Sequence, residues 1–476
     1  MESKLRTIII PAVLIIFSLH GCKISNQTVK EVDSDMPESY ADSGDSLNIA
    51  RISWKEYFSD KDLIALIDTA LQNNQEMNIF MQEIAQSKNE VRARKGEYLP
   101  FVDLRGGAGI EKEGRYTRHG AVDENLEIRE GKAFPEPLPD YMFGLYASWE
   151  LDVWKKLRNA KKAALTRYLS TIEGRNFMVT NLIAEISGSY YELIALDNLL
   201  EIVESNIAIQ TNALNTIRQQ MQAGEVTQLA VNRFEAQVLN TKNLQFDILQ
   251  QRVETENRIN FLVGRFPQRV ARNPEGFKNL AIDSVYAGLP SQLLKNRPDI
   301  RQAEMDLAAA RLDVKVARAN FYPSFRISAG TGFQAFDPAL IVNPKSIFYS
   351  LAGDLVAPLV NRNAIKAAYS SANARQVQAI YNYEQTILEA YVEVINQLSE
   401  IDNSAKSYAT KAKEAEILTQ SVTISNNLFR SARADYMEVL LTQREALESR
   451  VELIEIKLKQ MHAHINIYHA LGGGWN

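Results

Sequence analysis

The decapeptide VRARKGEYLP, at Val91–Pro100, is repeated later in the chain as VKVARANFYP, at Val314–Pro323. The two segments lie 223 residues apart (314 minus 91). Each is typical of a helix that ends at a proline and is followed by a strand, because the residue before a proline is disfavoured in helical geometry. The match continues beyond the proline at the same offset, where Gly107 aligns with Gly330. The chain therefore contains one structural unit twice.

A second correspondence supports the duplication. Gly264 and Gly472 lie 208 residues apart (472 minus 264), and each closes a long segment with helical periodicity. Solenoid repeats are usually about 20 to 50 residues long, so a repeat of this length is half of a fold. We predict a first repeat at 48–264, a linker at 265–289, a second repeat at 290–472 and a tail at 473–476.

Four segments are predicted to be strands because apolar and polar residues alternate in them with a period of two. They lie at 101–110, 142–152, 325–333 and 348–357. Strands of about ten residues with one apolar and one polar face suit a position between lipid and a watery lumen; a soluble sandwich is the alternative. Charged residues expected to face that lumen are Arg105, Glu150, Asp152, Arg326 and Asp354.

Between the strand pairs the sequence predicts very long helices. From Leu182 to Met221 apolar residues recur at alternating steps of four and three, and only Ser189 and Gln210 interrupt the series. Such a seven-residue repeat predicts coiled-coil packing along about 60 Å of helix. A related pattern runs from 387 to 429, and each helix is expected to return as an antiparallel partner. The fold class is therefore mixed α/β and mainly α.

Four strands cannot close a barrel. An open sheet edge in lipid leaves unpaired backbone groups that cost several kcal/mol each, so the chain is expected to assemble into a ring. Two, three or four copies would supply eight, twelve or sixteen strands, all within the range of bacterial barrels. After the first 21 residues no stretch approaches about 18 consecutive apolar residues, so no transmembrane helix is predicted there.

The N-terminus reads as a lipoprotein signal. An apolar run of 12 residues at 8–19 follows Lys4 and Arg6, which is shorter than the roughly 20 residues of a membrane span. Leu19-His20-Gly21-Cys22 then resembles a lipoprotein cleavage box. We predict a signal peptide at 1–21, lipidation at Cys22 and a flexible polar tether at 22–47, with ordinary secretion as the alternative. Cys22 is the only cysteine, which fits an oxidising compartment.

Charge and motifs argue against nucleic-acid binding and against an enzyme. The formal net charge is −5, and no basic patch indicates nucleic acid. The segment GTGFQA at 330–335 imitates a dinucleotide-binding fingerprint, but Asp337 and Pro338 follow where its helix should begin. His462 and His464 point to different helix faces, and His469 has no evident acidic partner. We therefore predict no catalytic residue, no metal and no cofactor.

The run from Leu289 to Phe325, LPSQLLKNRPDIRQAEMDLAAARLDVKVARANFYPSF, resembles the signature of the TolC-like outer-membrane efflux channels, in their lipoprotein branch. The segment beginning WKEYFSDKDLIALIDTALQNN at Trp54 resembles the start of that branch, and the likeness covers roughly residues 50 to 472. It implies a homotrimer with a twelve-stranded outer-membrane barrel and a periplasmic helical tunnel. It also implies a periplasmic adaptor and an inner-membrane RND transporter as partners.

The resemblance further implies a gate at the helix tips. By position its first acidic residue is Glu438, with Asp435 nearby, whereas the second acidic position holds Leu441. Both carboxylates could instead be solvated helix-end charges. Two turns resemble the adaptor-contacting tips of the family, although glycine and alanine also suit any tight hairpin. These turns are Gly224-Glu225-Val226-Thr227 and Arg433-Ala434-Asp435-Tyr436.

The function implied is a passive outer-membrane conduit for small molecules expelled by the pump. The nearest alternative is the exit duct of a protein or peptide secretion system. A lipid-anchored coiled-coil scaffold without a pore is a further alternative, but it has no need for strands with apolar outward faces.

Overall fold

The computed structural model describes residues 30–33, 35–40, 47–280, 285–431 and 433–475. The predicted signal peptide at 1–21 and Cys22 lie outside the described residues. The α-helices are α1 (Trp54–Tyr57), α2 (Lys61–Asn73), α3 (Gln75–Tyr98), α4 (Arg118–Asn125), α5 (Lys156–Gln222), α6 (Gln228–Leu262), α7 (Leu293–Asn296), α8 (Pro298–Ala319), α9 (Asn363–Arg430) and α10 (Tyr436–Ala470). The strands are β1 (Phe101–Glu111), β2 (Glu127–Arg129), β3 (Lys132–Ala133), β4 (Leu138–Leu151), β5 (Ser324–Ala335) and β6 (Ile347–Val356).

The duplication is visible in the element order. A helix, two long strands and a helical hairpin follow one another in both halves, as α3, β1, β4, α5 and α6 and then as α8, β5, β6, α9 and α10. The long helices have 67 and 68 residues, and both return helices have 35. At 1.5 Å per residue each long helix extends about 100 Å. The predicted class, mixed α/β and mainly α, is confirmed.

The long strands form one antiparallel sheet in the order β1-β4-β5-β6. Directly paired residues lie on the same face of a sheet, and the register places Glu150 opposite Arg326 and Arg326 opposite Asp354. On the other face Leu145, Leu104 and their neighbours form an exposed apolar surface. The predicted alternation is therefore present across the sheet, and β1 and β6 are its edge strands. Among the described residues, none of the helices combines the length and apolar character needed to cross a membrane.

Below the sheet the helices pack side by side. Apolar residues of the predicted heptad on α5, including Ile186, Leu193, Val203 and Ile217, are buried. In the half nearer the sheet α5 contacts α3 and α8, and α8 contacts α9. In the half farther from the sheet the contacts run from α6 to α5, from α5 to α10 and from α10 to α9. The four helices of this half form a row with α6 and α9 at its two ends.

The segment between the repeats crosses this row. Arg272 forms salt bridges with Asp197 of α5, at 2.5 Å, and with Glu256 of α6, at 3.0 Å. Farther along, Tyr408 of α9 donates a hydrogen bond to the Lys278 carbonyl, and Lys457 of α10 donates one to the Leu280 carbonyl. One stretch of chain at 270–280, which we call the crossing segment, is thus bonded to all four helices.

Part of the predicted tether is packed against the helical body. Tyr40 is buried and stacks on Tyr391 of α9, with ring centroids 5.6 Å apart. Lys30 forms a salt bridge with Glu384 of the same helix, and Glu384 also accepts a hydrogen bond from the Asp33 backbone. Described residues of the predicted tether at 22–47 thus contact α9, because apolar side chains spaced within a polar segment reach the helix surface.

A buried cluster of charged side chains links the start of the second repeat to α9 and α10. The Arg297 side chain, which is 6% exposed, forms salt bridges with Asp299 and with Glu393 of α9, and it donates to the Ala470 carbonyl of α10. Nδ1 of His469 lies 3.3 Å from Glu393. The expectation that His469 lacks an acidic partner is therefore wrong, because its partner comes from another helix, 76 residues away in sequence.

We predict that Glu393 makes the stability of the protein sensitive to acid. Burial alone would raise the pKa of Glu393, but the hydrogen bond from His469 and the charge of Arg297 outweigh it and lower the pKa to about 2. The stabilisation is present above the ordinary carboxyl pKa and is lost as the pH falls towards 2. Glu393→Gln should lower the free energy of unfolding near neutral pH by about 2 kcal/mol and flatten its acid dependence.

Thermal melting between pH 7 and pH 2 measures both effects. Glu400→Gln is the matched control on α9, because Glu400 forms only an exposed pair with Lys459 and such pairs contribute about 0 to 1 kcal/mol. Equal acid dependence in the wild type and in the Glu393→Gln variant would contradict the prediction.

Candidate functional site

The first hairpin tip connects α5 to α6 through a tight turn. Gly224 has a φ of +83°, a left-handed backbone conformation that residues with a Cβ rarely adopt. The amide of Glu225 donates to the Gln220 carbonyl at 2.9 Å and closes the end of α5. Thr227 occupies the position before α6, and its side chain makes no capping hydrogen bond. Glycine at 224 is therefore required by the turn itself, whatever else the tip contacts.

The second tip is closed differently. The amide of Arg433 donates to the Leu428 carbonyl at 2.9 Å, and Asp435 then caps α10. One carboxylate oxygen of Asp435 accepts hydrogen bonds from the amides of Met437, at 2.6 Å, and Glu438, at 3.1 Å. Glu438 itself is exposed on the first turn of α10, and Leu441 is exposed one turn further along. Of the two predicted gate residues, Asp435 thus has a structural task and Glu438 is directed to solvent.

The two tips pack against each other. Their shared apolar cluster, which we call the tip cluster, consists of Leu214, Ile217, Ala230, Val231, Phe234, Val238 and Val439. Val226 and Tyr436, both predicted tip residues, are partly buried against it. Nη1 of Arg233 also lies 2.7 Å from Sδ of Met437. By contrast Gly224, Glu225 and Arg433 remain exposed, and Ala434 is half-buried.

The polar face of the sheet carries most of the predicted lumen residues. Arg105 forms a salt bridge with Asp103 at 3.2 Å, and its guanidinium carbon lies 4.8 Å from the centre of the Tyr146 ring. Glu150 forms a salt bridge with Lys156, the first residue of α5, at 2.5 Å. Arg326 and Asp354 are register partners on the same face.

Asp152 does not belong to this face. It follows the end of β4, and its side chain is only 3% exposed. The carboxylate accepts hydrogen bonds from the amides of Leu157 and Arg158 and forms a salt bridge with the Arg158 guanidinium at 3.0 Å. The prediction that Asp152 faces the lumen is wrong, because the start of α5 has free amides that this carboxylate caps.

Two contacts could not be found from the sequence. The alternation pattern places Asp103 beside Arg105, but nothing in it indicates that Lys156 reaches back to Glu150. The contact of Arg233 with Met437 joins residues 204 positions apart, and no spacing rule predicts it. Among the described residues, no group of three or more histidine, cysteine or acidic side chains is arranged to hold a metal ion.

These features define a class of protein: a duplicated chain with an amphipathic sheet at one end and two packed helical hairpin tips at the other. The family model described as outer membrane efflux protein matches residues 66–265 and 289–473. The chain therefore belongs to the outer membrane efflux protein family.

Known relatives resemble the chain over nearly its whole length. It is 27% identical to the solvent efflux pump outer membrane protein SrpC of Pseudomonas putida, over 96% of each chain. It is 25% identical to the probable outer membrane lipoprotein SilC of Salmonella typhimurium, over 97% of each. The outer membrane channel MtrE of Neisseria gonorrhoeae, solved in an open state, has the same fold, with a TM-score of 0.81 and 21% identity over 96% of this chain and 99% of MtrE.

We predict that Asp435 acts mainly as the cap of α10. Replacing an aspartate cap by alanine costs about 1 kcal/mol, whereas asparagine caps equally well. Asp435→Ala should therefore raise the exchange rate of the backbone amides at the start of α10, and Asp435→Asn should leave that rate unchanged. Hydrogen–deuterium exchange with mass spectrometry measures both rates. If both variants loosened the helix equally, the negative charge and not the cap would be responsible.

Proposed function

We propose that three copies of this outer membrane efflux protein form a twelve-stranded barrel continued by a helical tunnel, through which small molecules leave the cell. The observation that carries the proposal is that a single chain forms a sheet with two open edges and a row of helices with two exposed ends. In the sheet, no described residue pairs with the outer side of β1 or of β6, and lipid supplies no partners for backbone groups. A head-to-tail contact between copies pairs β1 with β6 and closes the sheet by rotation.

The helices support the same closure. At one end of the row, α6 exposes three apolar side chains that are spaced seven residues apart, Leu239, Phe246 and Val253. At the other end, α9 exposes Ile417 and Ile424, also seven residues apart. Seven-residue spacing is the pattern of a helix-to-helix seam. In the part of the chain that the structure describes, both stripes are exposed, and in a closed ring α6 of one copy faces α9 of the next.

The partners proposed are a periplasmic adaptor at the hairpin tips and an inner-membrane RND transporter behind it. The exposed residues Gly224, Glu225 and Arg433 are the surface available for the adaptor. Lipidation at Cys22 remains a prediction, and it is supported by the likeness to SilC, a probable outer membrane lipoprotein. A passive conduit needs no chemistry of its own, so we propose no catalytic role for any residue.

We propose that Glu438 lines the tip opening. Three copies around one axis form a ring of carboxylates, which favours cations and whose members repel one another as the aperture tightens. The sequence offers no second acidic ring, because Leu441 occupies that position. Cation preference should therefore depend on Glu438 alone at this level of the tunnel.

Planar-bilayer conductance tests the pore and its gate together. Wild type should show small and rare openings. Glu438→Ala removes three carboxylates from the ring, so conductance should rise and cation preference should fall. Glu448→Ala is the matched control, because Glu448 is exposed on the same helix and faces Arg444. A Glu438→Ala channel with wild-type conductance and selectivity would rule out the gate role.

A charged residue introduced into the apolar stripe of α6 tests the proposed contact between copies. Phe246, which is 65% exposed in the single chain, is expected to be buried between copies, and burying an unpaired carboxylate is strongly unfavourable. Phe246→Asp should convert the trimer to a monomer in size-exclusion chromatography with light scattering. Asn240→Asp adds the same charge at an exposed position about 120° around the helix and should remain trimeric. A trimeric Phe246→Asp protein would contradict the proposed contact.

A further inference from the structure

A band of basic side chains lies just below the sheet, where the long helices begin or end. Within the described part of the chain none of its members forms a salt bridge, and all are exposed except the first, which is half-buried. We call this set the basic collar; it consists of Lys161 and Lys162 on α5, Arg311, Lys315 and Arg318 on α8, and Lys366 on α9. At 1.5 Å per residue all six lie within about 12 Å of the helix ends next to the sheet.

The collar residues of α5 lie on the side of the helix that faces away from the tunnel axis. Lys156 forms a salt bridge with Glu150, which belongs to the polar face of the sheet. At about 100° per residue, Lys161 and Lys162 lie about 120 to 140° around α5 from Lys156. Since the polar face of the sheet is the lumen side of the proposed barrel, these two lysines belong to the outer surface of the tunnel.

The collar residues of α8 and α9 lie on the same outer surface. Arg167 follows Lys156 by about three turns, and its salt bridge with Asp313 marks the lumen side of α8. The three collar residues of α8 lie about 140 to 160° around that helix from Asp313. On α9, Lys366 precedes Glu384 by about five turns and shares its face. Glu384 binds the N-terminal segment, which leads to the predicted lipid anchor outside the tunnel.

Carboxylates do not neutralise the collar. No aspartate or glutamate occurs at 155–172 or at 363–383. Asp306 and Asp313 of α8 are both engaged on the lumen side, and on the neighbouring α3 Glu90 and Glu97 are both paired with Arg94. The loop at the other end of the sheet, at 111–137, has seven acidic and five basic residues. The concentration of positive charge is therefore specific to the helix side of the sheet.

Aromatic side chains mark the level of the membrane surface directly above the collar. Trp154, between β4 and α5, stacks on Tyr322 with ring centroids 4.7 Å apart and donates a hydrogen bond to the Pro323 carbonyl at 2.8 Å. Tryptophan and tyrosine concentrate at membrane–water interfaces. The headgroup layer is about 5 to 8 Å thick on each side of the hydrocarbon core, and charges act over about 8 Å at physiological salt. The collar therefore lies within electrostatic reach of the headgroups.

We infer that the basic collar binds the anionic phospholipid headgroups of the membrane leaflet on the helix side, so that anionic lipids gather around the protein there. Each lysine or arginine near an anionic lipid surface strengthens the attraction about fivefold. The inference rests on the proposed function, because it requires the sheet to span a membrane. It adds a preference among lipids that the apolar face of the sheet cannot provide, since apolar side chains do not distinguish one headgroup from another.

Electron paramagnetic resonance of spin-labelled lipids tests the inference on the full-length protein reconstituted in phosphatidylcholine vesicles. Lipids in contact with the protein give a motionally restricted component. The preference is the ratio of this component for labelled phosphatidylglycerol, which is anionic, to that for labelled phosphatidylcholine, which is not. Wild type should prefer phosphatidylglycerol about fivefold at low salt. The ratio should fall towards one in 1 M salt, where charges act over only about 3 Å.

Two variants with equal loss of charge locate the source of the preference. The collar variant replaces one basic residue on each of three helices, and its substitutions are Lys162→Gln, Lys315→Gln and Lys366→Gln. The control variant replaces three exposed basic residues outside the collar, and its substitutions are Lys61→Gln, Lys295→Gln and Arg375→Gln. Arg375 lies about 180° around α9 from Lys366. The collar variant should bring the ratio close to one, and the control variant should keep the wild-type ratio.

The outcomes distinguish the inference from the proposed function. A ratio near one in wild type overturns the inference, as does a preference that the collar variant retains. An equal fall in both variants also overturns it, because overall charge and not the collar would then attract the lipid. In these cases the restricted component is still present and the channel proposal stands. A protein that restricts no lipid at all would instead refute the membrane-spanning sheet, and the inference with it.

Discussion

The unpaired edges of the sheet govern the rest of this structure. A strand at the edge of a sheet presents backbone groups that require partners, and a membrane offers none. β1 and β6 therefore make the isolated chain an incomplete object. The helices repeat the same situation, since α6 and α9 end the row with apolar stripes that none of the described residues covers. The proposed ring of copies would satisfy both kinds of edge by one rotation.

Duplication makes that ring possible with few copies. Each half supplies two strands and one helical hairpin, and the halves are nearly equal in length along α5 and α9. They are not equivalent at the tips, where Thr227 leaves α6 without a side-chain cap and Asp435 caps α10 with two hydrogen bonds. The return helix of the second hairpin therefore has a side-chain cap that the return helix of the first hairpin lacks.

Much of this fold could be read from the sequence, because it rests on long periodic patterns. Alternation placed Arg105, Glu150 and Arg326 on one face of the sheet, and heptad spacing identified the buried stripe of α5. Contacts between distant helices leave no such pattern in the sequence. The acidic partner of His469 and the contact of Arg233 with Met437 could therefore not be predicted. Asp152 shows a further limit, because alternation does not indicate where a strand ends. Asp152 lies one residue beyond the end of β4, and its carboxylate caps α5 instead of facing the lumen side of the sheet.

The docked N-terminal segment has a mechanical consequence. Lys30 follows Cys22 by eight positions, a length of about 28 Å at most for a fully extended chain. Lys30 is bound to Glu384, which lies 21 residues, or about 32 Å, along α9 from its first residue beneath the sheet. These two lengths are comparable, so an acyl group on Cys22 would be confined to the leaflet nearer to α9. The lipid would act as a depth stop, because displacement of the protein away from the membrane would pull on α9 through Lys30.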